Sequence, residues 1–443
     1  MTWRLPRSAV YDRGTAVFGE EDALQRLPTS DRILRFEEAL AVVQRHAQTA
    51  RNAQQVETVG LRNAAGRVLA RAVAADREQP PFDRATRDGY AVRAADVGGA
   101  ATAGLRVVGS LRAGERWSGA PMGEGEAIEI MTGAAVPDGA DAVVMVEHTT
   151  LEDGWLRVTR EMRVGENVVP RAAETRAGAV VLPEGCLLEA AEIGVAASCG
   201  RSQLEVFARP RVAIATTGDE LVELNEPMED AQIRNSNSYA LAALVDASGG
   251  VAEPLAIARD CVEELEARVV EGREADLLLF TGGVSMGKYD LVEQVLGEFG
   301  AEFFFTGALI QPGKPVVFGR LPKSNGLNPG GWTYFFGLPG NPVSAQICFR
   351  LFASAMVHAL GGRTAVGPRF VEARLAVAVP GGSRLTRFLP VRVEGTWEGV
   401  TARVVGWQGS GDVVANARAD GYVVLPAGVE AFAVGETVRV LLR

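Results

Sequence analysis

An elongated, multi-domain α/β chain with additional β domains is the fold class that the sequence predicts, and three observations lead there. RVAIAT (211–216), VAEPLAIA (251–258), DLLLF (276–280) and YFFG (334–337) alternate with helix-like segments, the pattern of a Rossmann-like three-layer domain. The flanking regions instead carry short apolar runs of period two, broken by Gly and Pro. At 443 residues the chain also exceeds one ordinary core, so roughly two to four domains are expected.

Taken in order, residues 1–30 hold charges throughout (Arg4, Arg7, Asp12, Arg13, Glu20, Glu21, Asp22) and read as a polar extension rather than a signal peptide. Ser30 and Asp31 then precede LRFEEALAVVQRHA, whose Phe36, Leu40, Val43 and Ala47 recur at helical spacing. Residues 31–104 and 182–209 are expected to form a mixed linking domain. From 105 to 181, LRVVG, AIEIMTG, DAVVMVEH, WLRVTR and AVVLP predict a β-rich insertion. The α/β domain is placed at 210–365, with helices expected at 238–247, 262–271, 291–299 and 343–360. Gly249 and Gly250 stop the first of these. From 366 to 443, VEARLAVAV, LPVRVEG, VTARVVGW, YVVLP and TVRVLLR predict a C-terminal β-barrel.

Composition narrows the function. A net charge of −10 with a pI near 5.2 argues against nucleic acid as a general partner. Cys186, Cys199, Cys261 and Cys348 form no CxxC pair, and His46, His148 and His358 are scattered; zinc, iron–sulfur and Ser-His-Asp chemistry lose ground. Without disulfide spacing or an apolar run of about 18 residues, a cytoplasmic protein with no membrane association is expected. The lysines are Lys288, Lys314 and Lys323, and two of these lie in the glycine-rich stretches TGGVSMGKYD and QPGKP, where a compact charge suits an oxyanion.

TGGVSMGKYD (281–290) joins an apolar strand to an amphipathic segment. Its Gly282, Gly283 and Ser285 can wrap backbone N–H groups around an anion, with Lys288 and Asp290 at the exit. By itself such a loop reads equally well as a tight turn. Two similar loops follow other strands: Thr217, Gly218, Asp219, Glu220 after RVAIAT, and Leu338 to Pro342 with Asn341 after YFFG. In an open parallel sheet, loops at the carboxyl ends of strands share one edge, so the three predict one site.

PPFDRATRDGYAV (80–92), IMTGAAVPDGADAVVMVE (130–147), GDEL (218–221), TGGVSMGKYD, PGKPVVFG (312–319) and GLPGNPVSA (337–345) resemble, in this order, the motifs of MoeA-type molybdopterin molybdenumtransferases, related to the gephyrin E domain. The resemblance implies that 210–365 binds molybdopterin. It also implies insertion of molybdate into adenylylated molybdopterin, release of AMP, and assistance by Mg²⁺ or a similar divalent cation. Glu220 and Asp290 match acidic positions assigned to the pterin nucleotide and the metal. Asp260 matches a third, although Asp before VEELEARVV also reads as a helix N-cap. Lys314, Pro315, Arg387 and Ser410 match the molybdate region. Asp88 and Thr132 match positions that reach the partner's cleft, which implies a homodimer. Read alone, Asp88-Gly89 is a turn and Thr132 a buried hydroxyl. Exchange with the molybdopterin adenylyltransferase and cofactor-accepting enzymes is also implied.

The chain departs from the family pattern at Gln311, where a second lysine is usual, at Asn167 in VGENV, and at Ala85 and Arg87 before DGYA. Three alternatives stand beside this reading: a tungstate-specific paralogue, a molybdopterin adenylyltransferase, and a non-catalytic scaffold of the same fold.

Overall fold

The computed structural model describes residues 32–50, 55–97, 104–283, 291–324 and 331–443. They form two compact units, one combining the chain up to Gln55 with Ala208–Arg443, the other Val56–Phe207.

The first unit is built on a six-stranded sheet. Val251–Pro254, Arg211–Thr216, Leu277–Thr281 and Trp332–Leu338 run parallel in that spatial order. Val317–Pro322 and Glu302–Phe305 add antiparallel strands at one edge. The period of two decides the layers. Val212, Ile214, Leu277, Leu279 and Phe336 face one core, shared with Leu241, Leu244 and Val245 of the Ser236–Ala247 helix. Ala213, Ala215, Leu278, Phe280 and Phe335 face the other, covered by Val262–Gly272 and Leu291–Glu298 through Leu265, Val269, Val295 and Leu296. Each fully buried Leu or Phe contributes roughly 1.5–3 kcal/mol of transfer free energy.

Several elements differ from the sequence reading. Only Val251–Pro254 of VAEPLAIA is strand; beyond it the pairing with the Arg211–Thr216 strand continues only as the Leu255 N–H to Ile214 carbonyl bond at 2.8 Å and an isolated bridge at Ala258. The helix expected over 343–360 is Pro342–Cys348, a π-helical turn Phe349–Ala353, and Ser354–Leu360. This Pro342–Leu360 stretch is long and apolar enough to cross a membrane by length and composition, contrary to the expectation, yet 78% of it is buried within the protein. Ile33–Leu34 forms a short strand with Gly307–Ala308, so the N-terminal helix is Phe36–Ala50. Glu38 accepts the Arg35 N–H at 2.9 Å at its start; Ser30 and Asp31 lie outside the described residues. Gly249, at φ +86°, ends the Ser236–Ala247 helix as expected, and the Gly250 N–H reaches the Val245 carbonyl at 3.0 Å.

The N-terminal helix belongs to the α/β core rather than to a separate linking domain. Phe36, Ala39, Val43 and Ala47 are buried with Phe305, Phe352 and Phe388. His46 stacks on Phe304 at a centroid distance of 3.7 Å. The C-terminal part closes a five-stranded barrel from Phe370–Leu375, Thr386–Thr396, Gly399–Val404, Gly421–Leu425 and Thr437–Leu442. Ile310–Gln311 pairs in parallel with Thr386 and Arg387, which ties the barrel to the α/β domain.

In the second unit a curled six-stranded sheet runs in the order Ala142–Met145, Gly89–Val92, Glu126–Ile130, Leu105–Leu111, Trp155–Val158, Thr149–Glu152. The boundary expected at 104 therefore cuts through this sheet, since Gly89–Val92 is one of its central strands. The strand begins at Gly89 because a Cβ there would sit 1.8 Å from the Val144 carbonyl oxygen; Asp88-Gly89 is a strand entry, not a turn. A second layer pairs Val56–Gly60 with Gln203–Phe207 beside the Ala190–Ser198 helix.

Burial lowers the His46 pKa to about 4, with the Arg320 and Arg45 charges adding to it. The unfolded chain takes up this proton near the ordinary histidine value, whereas the folded chain resists it to about 4. Stability is therefore complete above the ordinary value and falls as pH drops through that window, by up to roughly 3 kcal/mol. Urea unfolding from pH 7 to 4.5 should show a shallower loss in His46→Phe than in the parent chain; parallel curves would remove His46 from the acid response.

Candidate functional site at the carboxyl edge of the sheet

The three loops predicted to share an edge do meet. Arg211–Thr216, Leu277–Thr281 and Trp332–Leu338 are neighbours, with Thr216 paired to Thr281 and Thr281 to Leu338. Beyond these pairs the Thr217 N–H donates to the Thr281 carbonyl at 3.0 Å, and Gly282 N–H to the Leu338 carbonyl at 3.4 Å. Gly282 has φ +92°, and a Cβ on it would lie 2.2 Å from the Thr217 carbonyl oxygen. Only glycine lets the strand ends approach this closely.

Above them opens a cleft of about 600 Å³ lined by Glu220, Asp260, Gly282, Gly283, Lys314, Pro315 and Asn341 among others. A second cleft of about 580 Å³ contains Lys314, Pro315, Asn341, Arg387 and Ser410. Lys314, Pro315, Pro339 and Asn341 line both, so the two adjoin across this wall. Ser285, Lys288 and Asp290 lie outside the described residues.

The acidic side of the first cleft is ordered by hydrogen bonds. Thr217 Oγ1 donates to Asp260 Oδ1 at 3.2 Å, and the Asp260 N–H donates to Asp219 Oδ1 at 3.2 Å. Burial pushes the Asp260 carboxyl up from its ordinary value, and the Asp219 and Glu220 charges push it further. The N-cap of the Val262–Gly272 helix is Cys261, not Asp260. Asp260 is one residue too early to cap and its carboxyl turns into the cleft instead.

The second cleft is the basic one. Lys314 follows a chain reversal in which its carbonyl accepts the Ala308 N–H at 3.0 Å. Arg387 stands on the barrel strand beside Gln311 and donates to the Pro380 carbonyl. Ser410 joins the barrel loop to the α/β domain, since its carbonyl accepts the Val343 N–H at 2.9 Å. Among the described residues, Lys314 and Arg387 pair with no carboxylate. Two unpaired cations beside a hydroxyl make a setting for an oxyanion.

Asp88 and Thr132 lie in the other unit and meet each other. Asp88 Oδ1 accepts from the Thr132 N–H at 2.7 Å and from Thr132 Oγ1 at 2.8 Å. These bonds, the backbone one foremost, hold the Asp88 carboxyl below its ordinary value. Thr132 is exposed, so the buried-hydroxyl alternative is incorrect; its hydroxyl is spent on Asp88.

The structure gives the setting of three of the four departing residues. Asn167 sits at φ 55°, a region asparagine tolerates, and its carbonyl accepts the Thr86 N–H at 2.9 Å. Ala85 is buried at 1% exposure, where a larger side chain has no room. Gln311 lines the basic cleft without charge.

Three family models match in series: "MoeA N-terminal region (domain I and II)" over 34–200, "Probable molybdopterin binding domain" over 213–359, and "MoeA C-terminal region (domain IV)" over 372–442. A protein from Nostoc sp. (strain PCC 7120 / SAG 25.82 / UTEX 2576) named molybdopterin molybdenumtransferase is 35% identical over 88% of this chain and 89% of its own length. The chain belongs to the MoeA family. A Staphylococcus aureus (strain COL) relative of the same name is 32% identical over 87% of this chain and 90% of its own. The solved structure of a molybdopterin biosynthesis MoeA protein from Pyrococcus horikoshii OT3 matches with a TM-score of 0.75 and 26% identity, covering 93% of this chain and all of that one (100%).

This MoeA chain also uses residues that the sequence reading missed. Asn235 and Asn237 line the first cleft, and Trp407 lines the second. RNSNSY before the apolar ALAAL was a readable helix-start signal; Asn235 indeed caps that helix, accepting the Ser238 N–H at 3.2 Å.

Titration of the Asp260 carboxyl by NMR should give a midpoint above the ordinary carboxylate value. Glu220→Gln removes a neighbouring negative charge, so the midpoint should move down; an unmoved midpoint would mean that the acidic residues do not share one site.

Proposed function

We propose that this chain inserts molybdate into adenylylated molybdopterin and releases AMP. Its role as a transferase in molybdenum cofactor biosynthesis follows from membership of the MoeA family. The observation that carries the detailed reading is the pair of adjoining clefts with Lys314, Pro315, Pro339 and Asn341 in common. One cleft has glycine backbone and carboxylates, the other unpaired cations and a hydroxyl. A pterin nucleotide and a tetrahedral oxyanion need those two settings side by side.

In this reading Gly282 and Gly283 approach the phosphates, and Lys314, Arg387 and Ser410 hold the oxyanion at the shared wall. Lys314 neutralises charge on whichever anion is nearer, which brings two mutually repelling groups together. Asp260, whose proton affinity is raised, can take the proton that a dithiolene thiol gives up as its sulfur bonds to the metal, the displaced oxide of the oxyanion leaving as water.

A divalent cation such as Mg²⁺ fits the acidic side, where Glu220 lies near Asp260 and offers the oxygen donors that hard cations prefer. Among the described residues no group of three or more side chains forms a metal site unaided, so Glu220 would hold the ion together with Asp290 and phosphate oxygens. Bound there, the ion would neutralise phosphate charge.

Asp88 and Thr132 form an exposed, pre-ordered carboxylate–hydroxyl pair in the other unit, which suits action in the cleft of a second copy. A cytoplasmic homodimer, receiving the adenylylated pterin from its adenylyltransferase and passing cofactor to acceptor enzymes, completes the reading. The uncharged Gln311 leaves Lys314 and Arg387 to carry the oxyanion charge.

Lys314→Ala should raise the KM for molybdate by about 10-fold or more, the scale of one lost charge-assisted contact. Cofactor formation measured against molybdate concentration checks this, and an unchanged KM would place the oxyanion elsewhere. At molybdate concentrations below the raised KM, mixing Asp88→Asn with Lys314→Ala protein should give more activity than either has alone, since one cleft of a mixed dimer escapes both changes. No recovery after subunit exchange would contradict the shared site.

A further inference from the structure

Asn237 stands on the first turn of the Ser236–Ala247 helix and lines the glycine-rich cleft. Its amide is fixed by the neighbouring strand ends. Nδ2 donates to Thr281 Oγ1 at 2.9 Å and to the Gly340 carbonyl at 2.7 Å. Thr281 Oγ1 in turn donates to the Pro339 carbonyl at 3.2 Å. The threonine proton is therefore committed, and Thr281 can only accept from Asn237. Both Nδ2 protons are consumed, so the amide cannot be flipped without setting acceptor against acceptor.

What remains is Asn237 Oδ1. It is buried and has no hydrogen-bond partner among the described residues. A buried, unsatisfied carbonyl is destabilising until a donor reaches it. A phosphate or molybdate oxygen offers no proton at neutral pH and is repelled by this atom.

We infer that Asn237 is a specificity-determining residue of the cleft, whose Oδ1 accepts a hydrogen bond from the exocyclic amino group on the edge of a bound fused heterocycle. The inference rests on the proposed function, which supplies two such heterocycles, the pterin and the adenine. It adds a third setting to the cleft: the amino-bearing ring lies against Asn237, the phosphates over Gly282 and Gly283, and the oxyanion toward Lys314. Strand-end packing fixes the amide before the ligand arrives, and because Oδ1 is covered in the free protein, the cleft wall beside it must part for the amino group to reach it.

The test measures equilibrium binding to the full-length protein in two arms. One compares AMP with purine riboside 5′-monophosphate, which lacks the exocyclic amino group. The other compares a 2-amino-4-oxopterin with its 2-deamino counterpart, pteridin-4(3H)-one. In one arm the amino compound should bind about 10-fold or more tightly, because a site built to pair with N–H rejects the analogue lacking it. The preferred arm identifies the ring. In Asn237→Ala that ratio should collapse toward one, while the affinity for molybdate stays unchanged. Equal binding of the amino and deamino compounds in both arms by the unaltered protein overturns the inference and leaves the proposed function standing; this comparison needs no variant. Persistence of the ratio in a folded Asn237→Ala protein also overturns it. If neither AMP nor the pterin binds at all, the proposed function falls with it.

Discussion

The close approach of backbone at Gly282 is the constraint on which the site depends. Three adjacent parallel strands end level with one another, and the chain leaving the middle one must turn beneath the Thr217 carbonyl. A side chain at Gly282 would push Thr217 away, and Thr217 carries the hydroxyl that positions Asp260. The Thr281 hydroxyl and Asn237 tie the same point to the third strand through Pro339 and Gly340. Cleft shape and placement of the acidic groups thus descend from one steric condition in the sheet.

A second condition sets the basic side. Pairing of Ile310 and Gln311 with Thr386 and Arg387 makes barrel and α/β domain continuous at this edge, and the Val343–Ser410 bond repeats the link. Arg387 and Ser410, distant from Lys314 in sequence, thereby face the same space. The shared wall separates a setting that tolerates donor-bearing rings from one that attracts oxyanions. Electrostatics favours this separation, because the net negative chain can hold an anion only where cations are locally unpaired.

Much of this was legible in the sequence. The parallel strands showed as RVAIAT, DLLLF and YFFG because strands buried on both faces carry nearly continuous apolar runs. Their terminal loops showed as Gly-rich stretches for the same steric reason that Gly282 now makes explicit. The edge strands Glu302–Phe305 and Val317–Pro322 were less legible, since EFFF is only four residues long and VFGRLP is interrupted by Gly319 and Arg320. Chain order misled at Gly89–Val92, which joins a sheet formed mainly by later residues. Asp260 looked like a cap because a cap and a cleft carboxylate occupy almost the same position before a helix. Asn237 escaped notice because its value lies in a network with two strand ends, which no local pattern encodes. Arg87 has no explanation in the structure.

The central claim is that one continuous site holds a nucleotide phosphate and an oxyanion on opposite sides of Lys314. Crystals of the protein grown with AMP and tungstate, a heavy stand-in for molybdate, test this most directly through the anomalous signal of tungsten. The account predicts a tungsten peak among Lys314, Arg387 and Ser410, with the AMP phosphate over Gly282 and Gly283. Tungsten bound away from Lys314, or AMP excluded from the sheet edge, would contradict it.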